Sequence, residues 1–298
     1  MDIYVRPGDS FWYYSQLFRI PLQLIIDSNR NINPQTIQQG QRIQIPAYVA
    51  QNYQIKSGDS LWSIAMSRNL PLDTLFLINP NLNPNRLQIG QTIQVPLRIT
   101  WRLVNGKQNY TYEVMMNDIQ RLQTVYPFLQ VSSIGNSVLN RSIPEVLIGI
   151  GDKRVAYNGS FHANEWITTP TIMTFLNDYA LSLTNQTTIR GLITSPLYEQ
   201  TSLSIVPMVN PDGVNLVLNG PPELEPYRSN VIQWNNNSLD FSGWKANING
   251  VDLNDQFPAQ WEKERDRNPQ TPGPRDYGGE SPLSQPESIA MADLTRRR

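Results

Sequence analysis

The sequence predicts an α/β domain built on a mixed sheet with helices on both faces, preceded by two small modules of the order strand, helix, helix, strand. Three observations predict it. Residues 2–46 match residues 52–96 without a gap, the mark of a tandem repeat. Beyond them, apolar stretches at 146–150, 155–158 and 203–209 alternate with helix-like stretches at 112–126 and 171–183, as in an α/β sheet with covering helices. At 298 residues with 39% hydrophobic content, the chain is long enough for two or three domains with real cores.

The repeat pairs Gly8-Asp9-Ser10 with Gly58-Asp59-Ser60, Trp12 with Trp62, Asn33-Pro34 with Asn83-Pro84, and Ile43-Gln44-Ile45-Pro46 with Ile93-Gln94-Val95-Pro96. Each module opens on a β-like stretch, 53–55 in the second. Gly58-Asp59 then turns the chain, and Asp59 or Ser60 caps a helix beginning near Leu61, which places Leu61, Ile64 and Ala65 on one face. A second helix is expected after Pro71, capped by Asp73, with Leu75, Phe76 and Ile78 as its apolar contacts and Asn79-Pro80 as its end. Ile93-Gln94-Val95 alternates like a half-buried strand.

A linker follows, with a turn at Asn105-Gly106 and a tryptophan, Trp101, expected to pack against a neighbouring surface. In residues 112–126, Val114, Met115, Ile119, Leu122 and Val125 recur at helical spacing up to Pro127. Residues 219–243 and 260–286 are rich in Pro, Asn and Gly and read as long surface loops around a site. The expected boundaries are 1–48, 49–98, a linker over 99–110, and 111–298.

Composition excludes several function classes. A net charge of -1 with 16% charged residues offers no basic surface for nucleic acid or anionic lipid. Abundant amides, as in residues 29–33, 38–44 and 235–237, suit hydroxyl-rich or peptidic ligands and equally suit solvated loops. Absence of cysteine removes disulfides and thiolate metal sites. No apolar run reaches membrane length, so no membrane insertion is expected. The first eight residues lack a basic stretch followed by an apolar core, so no secretory leader is expected and synthesis in the cytoplasm fits.

The chain holds one histidine, His162, three residues before Glu165 and just after an apolar stretch. That spacing suits a zinc hydrolase, although such sites usually take three protein ligands and a water. Taken alone, His162 reads more readily as a structural histidine. Its weight comes from company: His162 to Glu165, Asn210-Pro211-Asp212-Gly213 and Gly250-Val251-Asp252-Leu253-Asn254 each fall just after an expected strand, where open α/β sheets gather ligands.

The two repeats resemble LysM domains in their Gly-Asp-Ser turn, central Asn-Pro and closing Gly-Gln-x-Ile-x-Val/Ile-Pro. That resemblance implies binding of N-acetylglucosamine-containing glycan strands of peptidoglycan or chitin, with Asp9, Ser10 and Asn33 in one groove and Asp59, Ser60 and Asn83 in the other. The competing reading is that these side chains only cap helices and turn the chain. Two weak sites in tandem raise avidity where their spacing matches the ligand.

The rest, from about Tyr110, resembles the zinc carboxypeptidases. The likeness rests on Gly135-x-Ser137 with Arg141, His162-x-x-Glu165-Trp166, Val209-Asn210-Pro211-Asp212-Gly213, Trp244-Lys245-x-Asn247, Gly250-Val251-Asp252-Leu253-Asn254, Gly279-Glu280-Ser281-Pro282 and Glu287. The resemblance implies a carboxypeptidase-like mixed sheet and one zinc ion per complete catalytic domain, with His162 and Glu165 as two of its ligands. Asp252 would hold the His162 ring. Lys245 would assist the oxyanion in place of an arginine, or be an exposed loop lysine. Where classical members carry clamp arginines, this chain has Asn164 and Asp255 beside a retained Asn254. Exchanging cation for anion repels a terminal carboxylate and favours an ammonium, so all three are expected to bind substrate.

The composite resembles γ-D-glutamyl-L-diamino acid endopeptidases of spore-forming bacteria, which implies cleavage of stem peptides between D-glutamate and diaminopimelate during sporulation or wall turnover. A non-catalytic peptidoglycan-binding protein and a true carboxypeptidase are the alternatives. The family's third zinc ligand and general base are expected well beyond Asp252, and neither has a counterpart before Arg298. The sequence therefore reads as the amino-terminal part of a longer enzyme, with little hydrolysis expected of it alone.

Overall fold

The computed structural model describes residues 1–298, which form two compact units. The first comprises residues 1–102, 121–129 and 178–195, and the second residues 103–120, 130–177 and 196–298.

In the first unit, β1 (Asp2–Tyr4), α1 (Phe11–Phe18), α2 (Leu22–Asp27) and β2 (Arg42–Gln44) make one module. The second is β3 (Tyr48–Gln54), α3 (Leu61–Met66), α4 (Asp73–Ile78) and β4 (Thr92–Arg98). Within each, the first and last strands pair antiparallel. Sequence chemistry explains the helix starts. Ser10 accepts from the Tyr13 N–H at 3.1 Å, and Ser60 does the same for Ser63 in a reciprocal capping box. Ile55, Leu61, Ile64, Ala65, Leu75, Ile93 and Val95 close the second module's core. One amide fastens each module internally. Asn29 bonds Ile25 O, Gln44 O and Gln44 N, and Asn79 repeats the pattern on Leu75 O, Gln94 O and Gln94 N.

The two modules are also tied to each other by an asymmetric link. Arg6 grips Asp73 with Nη1 at 3.0 Å and Nη2 at 2.5 Å, and the Tyr13 hydroxyl donates to the same carboxylate. This corrects the expectation that Asp73 caps α4. Leu72 occupies the cap position with no side-chain bond, because a bidentate guanidinium is the stronger partner for a carboxylate. Trp101 is corrected as well: it is 47% exposed, and the segment is held instead by Arg102, whose Nε and Nη2 bond the Asp178 carboxylate at 2.6 and 2.7 Å.

Along the rest of the chain run α5 (Tyr112–Val125), β5 (Gln130–Asn136), β6 (Ser142–Ile148), β7 (Lys153–Asn158) and α6 (Thr168–Asn185). A short hairpin follows, β8 (Thr188–Ile189) and β9 (Leu192–Ile193), then α7 (Ser195–Gln200), β10 (Thr201–Val206) and α8 (Pro211–Asn219). The last elements are α9 (Tyr227–Trp234), α10 (Trp261–Arg265) and α11 (Pro286–Arg297), with 3-10 turns at Ala163–Glu165 and Leu253–Gln256.

The second unit is built on a four-stranded mixed sheet of order β5-β6-β10-β7. β5 with β6 and β6 with β10 are antiparallel, while β10 and β7 are parallel, with Thr201 opposite Lys153 and Val206 opposite Asn158. Helix α11 covers one part of the sheet, where Ala290, Met291 and Leu294 join Ile143, Val206, Val209 and Leu253. Strand β10 is buried from Leu203 to Val206, as a central strand should be, whereas β7 lies at the edge with Tyr157 52% exposed. Strand β5 was not foreseen. Its Gln-Val-Ser-Ser-Ile-Gly-Asn sequence lacks apolar alternation, and pairing with β6 supplies what the side chains do not.

The two stretches read as loops each hold a helix. α9 buries Val231 against Trp244 and Phe241, and α10 buries Trp261. Both helices are short, and each offers too few apolar residues to show a period.

Candidate active site

The parallel pairing of β7 and β10 puts their carboxyl ends side by side. Backbone bonds carry the adjacency past the strands: Val209 N donates to Gly159 O and Asn210 N to Ser160 O, each at 3.0 Å. The segment carrying His162 is thus laid against the start of α8. There Asn210 caps the helix by accepting from Gly213 N at 3.0 Å, with Pro211 in the first turn. Gly213 is required by close approach, since a Cβ there would lie 2.8 Å from the Ala163 Cβ.

The third strand-end expectation is corrected. Residues 250–254 follow a turn, not a strand: Asn247 accepts from the N–H groups of Asn249 and Val251, and Gly250 takes a φ of 69°. Asp252 nevertheless reaches the site. Its N–H donates to Tyr277 O at 2.8 Å, and its carboxylate accepts from Asn254 N and Asp276 N, both at 3.2 Å.

These elements bring His162, Glu165 and Asp252 together. His162 Nδ1 lies 2.9 Å from Glu165 Oε1, and Nε2 lies 3.2 Å from Asp252 Oδ1. The hydrogen bond that the ring donates to Asp252, and then the one to Glu165, lift the imidazole to about 9 against the opposing effect of burial. Burial pulls the Asp252 carboxyl upward, but His162 and the backbone donors outweigh it and hold it below the usual range. Glu165 is half exposed while Asp252 is buried, so the ring is anchored from inside and offers its Nδ1 side outward.

That polarity fits two positions of a zinc site. Nδ1 and Glu165 Oε1 converge on one point, and a ligating imidazole ordinarily gives its other nitrogen to a carboxylate, as Nε2 does to Asp252. No third His, Cys, Asp or Glu joins them in a ligand cluster.

Around this pair lie the other expected residues. Lys245 accepts the Ala163 N–H through its backbone carbonyl at 2.9 Å, and its ammonium has no carboxylate partner. Asn164 keeps a buried side-chain oxygen with no hydrogen-bond partner. The Asn254 side chain is exposed and free. Asp255 is pushed up to about 6 by burial first and then by Asp252, Asp276 and Glu264, and its one side-chain contact is Asn268 Nδ2 at 3.2 Å. Its hydrogen-bond donor is neutral, and against these three acidic neighbours only the His162 charge acts to lower it.

Sequence reasoning named Asp212 and Glu287 only as parts of motifs, and it missed Gln256, which braces the site with them. Gln256, fully buried, accepts from Ser284 N, Gln285 N and Ser288 Oγ and so pins the loop holding Gly279-Glu280-Ser281-Pro282. No pattern marks a glutamine for that task. Asp212, also buried, accepts from Arg141 Nη1 at 3.0 Å and Leu139 N at 2.8 Å. Glu287 accepts from Val138 N at 3.1 Å and Asn247 Nδ2 at 3.3 Å, and burial pushes it up to about 7.

In the first unit, all six residues expected to touch glycan also hold local backbone or neighbours. Asp9 accepts from Arg6 and the Tyr14 hydroxyl, Asp59 from Lys56 N and the Tyr53 hydroxyl, Ser10 and Ser60 cap helices, and Asn33 and Asn83 accept from Gln35 N and Asn85 N. Asn33 and Asn83 remain exposed.

The zinc carboxypeptidase family model matches residues 115–298, the part of the chain that carries this constellation. The chain belongs to the zinc carboxypeptidase family. It also carries two LysM domains, matched at 3–46 and 53–96. Over its whole length this peptidase-family chain is 76% identical to gamma-D-glutamyl-L-diamino acid endopeptidase 1 of Lysinibacillus sphaericus, spanning 75% of that protein. It is 43% identical over 201 residues to the uncharacterized protein YqgT of Bacillus subtilis, covering 66% of this chain and 53% of that one. Among solved structures, carboxypeptidase A from Helicoverpa armigera aligns with 22% identity and a TM-score of 0.46, over 64% of this chain and 43% of that one.

Proposed function

We propose that the chain belongs to a zinc peptidase that hydrolyses the bond between γ-D-glutamate and an L-diamino acid, diaminopimelate, in peptidoglycan stem peptides. The anchoring of His162 between Asp252 and Glu165 carries this reading. Two LysM modules, over 1–48 and 49–98, hold the enzyme on N-acetylglucosamine-containing glycan, and the peptidase portion begins after a linker at 99–110. The exposed Asn33 and Asn83 are the best placed of the six groove residues to meet sugar hydroxyls.

His162 Nδ1 and Glu165 would hold the metal. When bound, zinc polarises the scissile carbonyl and supplies hydroxide near neutrality. Asp252 keeps the ring turned outward and its Nε2 proton in place. Lys245, next to this turn and without a carboxylate partner, supplies positive charge for the developing oxyanion. Asn164 and Asn254 offer amides to the substrate backbone. Asp255, which has acidic neighbours and no lysine or arginine paired with it, attracts the additional ammonium of a diamino acid and repels a free terminal carboxylate. No helix is long and apolar enough to cross a membrane, and association with wall material comes from the glycan modules.

Equilibrium binding of γ-D-glutamyl peptides tests the assignment. A peptide ending in diaminopimelate should bind this chain about tenfold more tightly than one ending in alanine, and Asp255→Ala should abolish the difference. An unchanged preference in the variant removes Asp255 from the reading, and no preference in either protein removes the diamino substrate.

A further inference from the structure

Between the two modules of the first unit lies a cavity of about 310 Å³, and we propose that it binds an oxyanion, phosphate or carboxylate, carried on a sugar-sized body. This goes beyond the glycan grooves and the peptidase site, neither of which includes these residues.

Three guanidiniums line the cavity, those of Arg19, Arg68 and Arg98, and no acidic residue lines it. None of the three is paired with a carboxylate. They play different parts. Arg98 is fixed: it donates to Asn185 Oδ1 at 2.9 Å, to Phe18 O at 3.2 Å and to Thr184 O at 2.6 Å, and it lies over the Tyr48 ring at 5.6 Å. Its charge is thus immobilised by neutral partners and left uncompensated. Arg68 is half committed, with Nη1 on Ile64 O and Ser67 Oγ, its plane over Tyr53 at 4.5 Å, and Nε and Nη2 unspent. The Arg19 side chain has no hydrogen bond and is exposed. One held charge and two guanidiniums with donors to spare are what an oxyanion needs, since guanidinium forks match carboxylate and phosphate oxygens in pairs.

The rest of the wall favours an organic body over a bare ion. Leu17, Leu70, Pro71, Pro96 and Leu97 give it apolar surface. Its volume lies within the roughly 300–1,000 Å³ of small-molecule sites.

The repeat shows that these charges are not a general property of the module. In the ungapped alignment Arg19 stands opposite Asn69 and Arg68 opposite Phe18, and two residues past its end the same offset sets Arg98 against Tyr48, whereas Pro71 and Pro96 stand opposite Pro21 and Pro46. The two prolines of the wall repeat and the cations do not. The site therefore exists only where the two modules meet, and neither module alone contains it.

Calorimetric titration of the intact 298-residue chain with glucose 6-phosphate, glucuronate and glucose tests the proposal. At low salt, at least one of the two anionic sugars should bind and glucose should not. A response to glucose 6-phosphate alone identifies a phosphate-bearing ligand, a response to glucuronate alone a carboxylate-bearing one, and a response to both an oxyanion of either kind. Arg19→Gln and Arg68→Gln should each weaken binding about tenfold, Arg68→Lys should weaken it less, and Lys107→Gln, removing an exposed cation elsewhere, should leave it unchanged. Raising the salt should weaken binding further. Thermal melting of each variant separates loss of binding from loss of folding. Equal binding of glucose, binding that survives both glutamine variants in the folded protein, or no binding of either anion at millimolar concentration overturns the proposal.

Discussion

His162 has two carboxylates, and its two nitrogens tell them apart. The buried Asp252 takes Nε2, and the half-exposed Glu165 faces Nδ1. Removing Asp252 should therefore leave the proposed ligand pair, His162 and Glu165, in place but unaimed. Asp252→Asn is expected to lower zinc affinity about 10- to 100-fold while Glu165→Gln removes a proposed ligand outright and lowers it further, and a competitive zinc titration with a chromophoric chelator distinguishes the two. Because His162 is the chain's one histidine, its ring protons can be followed by NMR without assignment ambiguity. Glu287 sets a pH dependence of stability. Its folded value is about 7, above its ordinary 4.5, so the folded protein holds this proton more tightly than the unfolded chain does. Its contribution is fully present below about 4.5 and is lost as pH rises through about 7. Glu287→Gln should thus gain stability relative to the parent as pH rises across that window, read as a converging or crossing pair of denaturation midpoints. A constant difference would show that Glu287 stays charged in the fold.

At the scale of elements, the repeated amides Asn29 and Asn79 show how a small module without disulfides is held. Each stitches its second helix to its last strand with three hydrogen bonds. Asn79→Ala should cost about 1–3 kcal/mol, because it strands the backbone of Gln94, and urea denaturation would show it. Ser60→Ala, which removes only a cap on an exposed helix start, should cost about 1 kcal/mol. The caps were legible in the sequence, since serine after Gly-Asp at the head of an apolar period has one usual use. The stitch was not: asparagine before proline signals a helix end, and only the fold shows what its side chain then reaches. Asp73 marks the same limit. Its position in the first turn of α4 suggests a cap, and Arg6, distant in sequence, takes it instead.

For the molecule as a whole, the edge strand β7 matters most. It is paired on one side only, and Tyr157 on it is 52% exposed, beside Ile172 and Phe175 across a cavity of about 320 Å³. Lysine on an edge is a standard guard against strand pairing between chains, and β7 has Lys153 and Arg154 at its start but nothing charged after them. Tyr157→Lys should lower self-association at high concentration, as measured by light scattering, with the melting temperature little changed. The sequence by itself determined the tandem modules, the alternation of strands and helices, and the His-x-x-Glu pair, because each is written in local periodicity or in motifs whose residues are neighbours along the chain. The resemblance also led to the expectation that Asp252 holds the His162 ring, but tertiary structure alone decided that a turn and not a strand delivers Asp252, that Gln256 and Glu287 brace the loops around it, and that three unrelated arginines share one cavity. Those outcomes join residues far apart in sequence, and their partners are set by burial and by competition among donors, which no local pattern records.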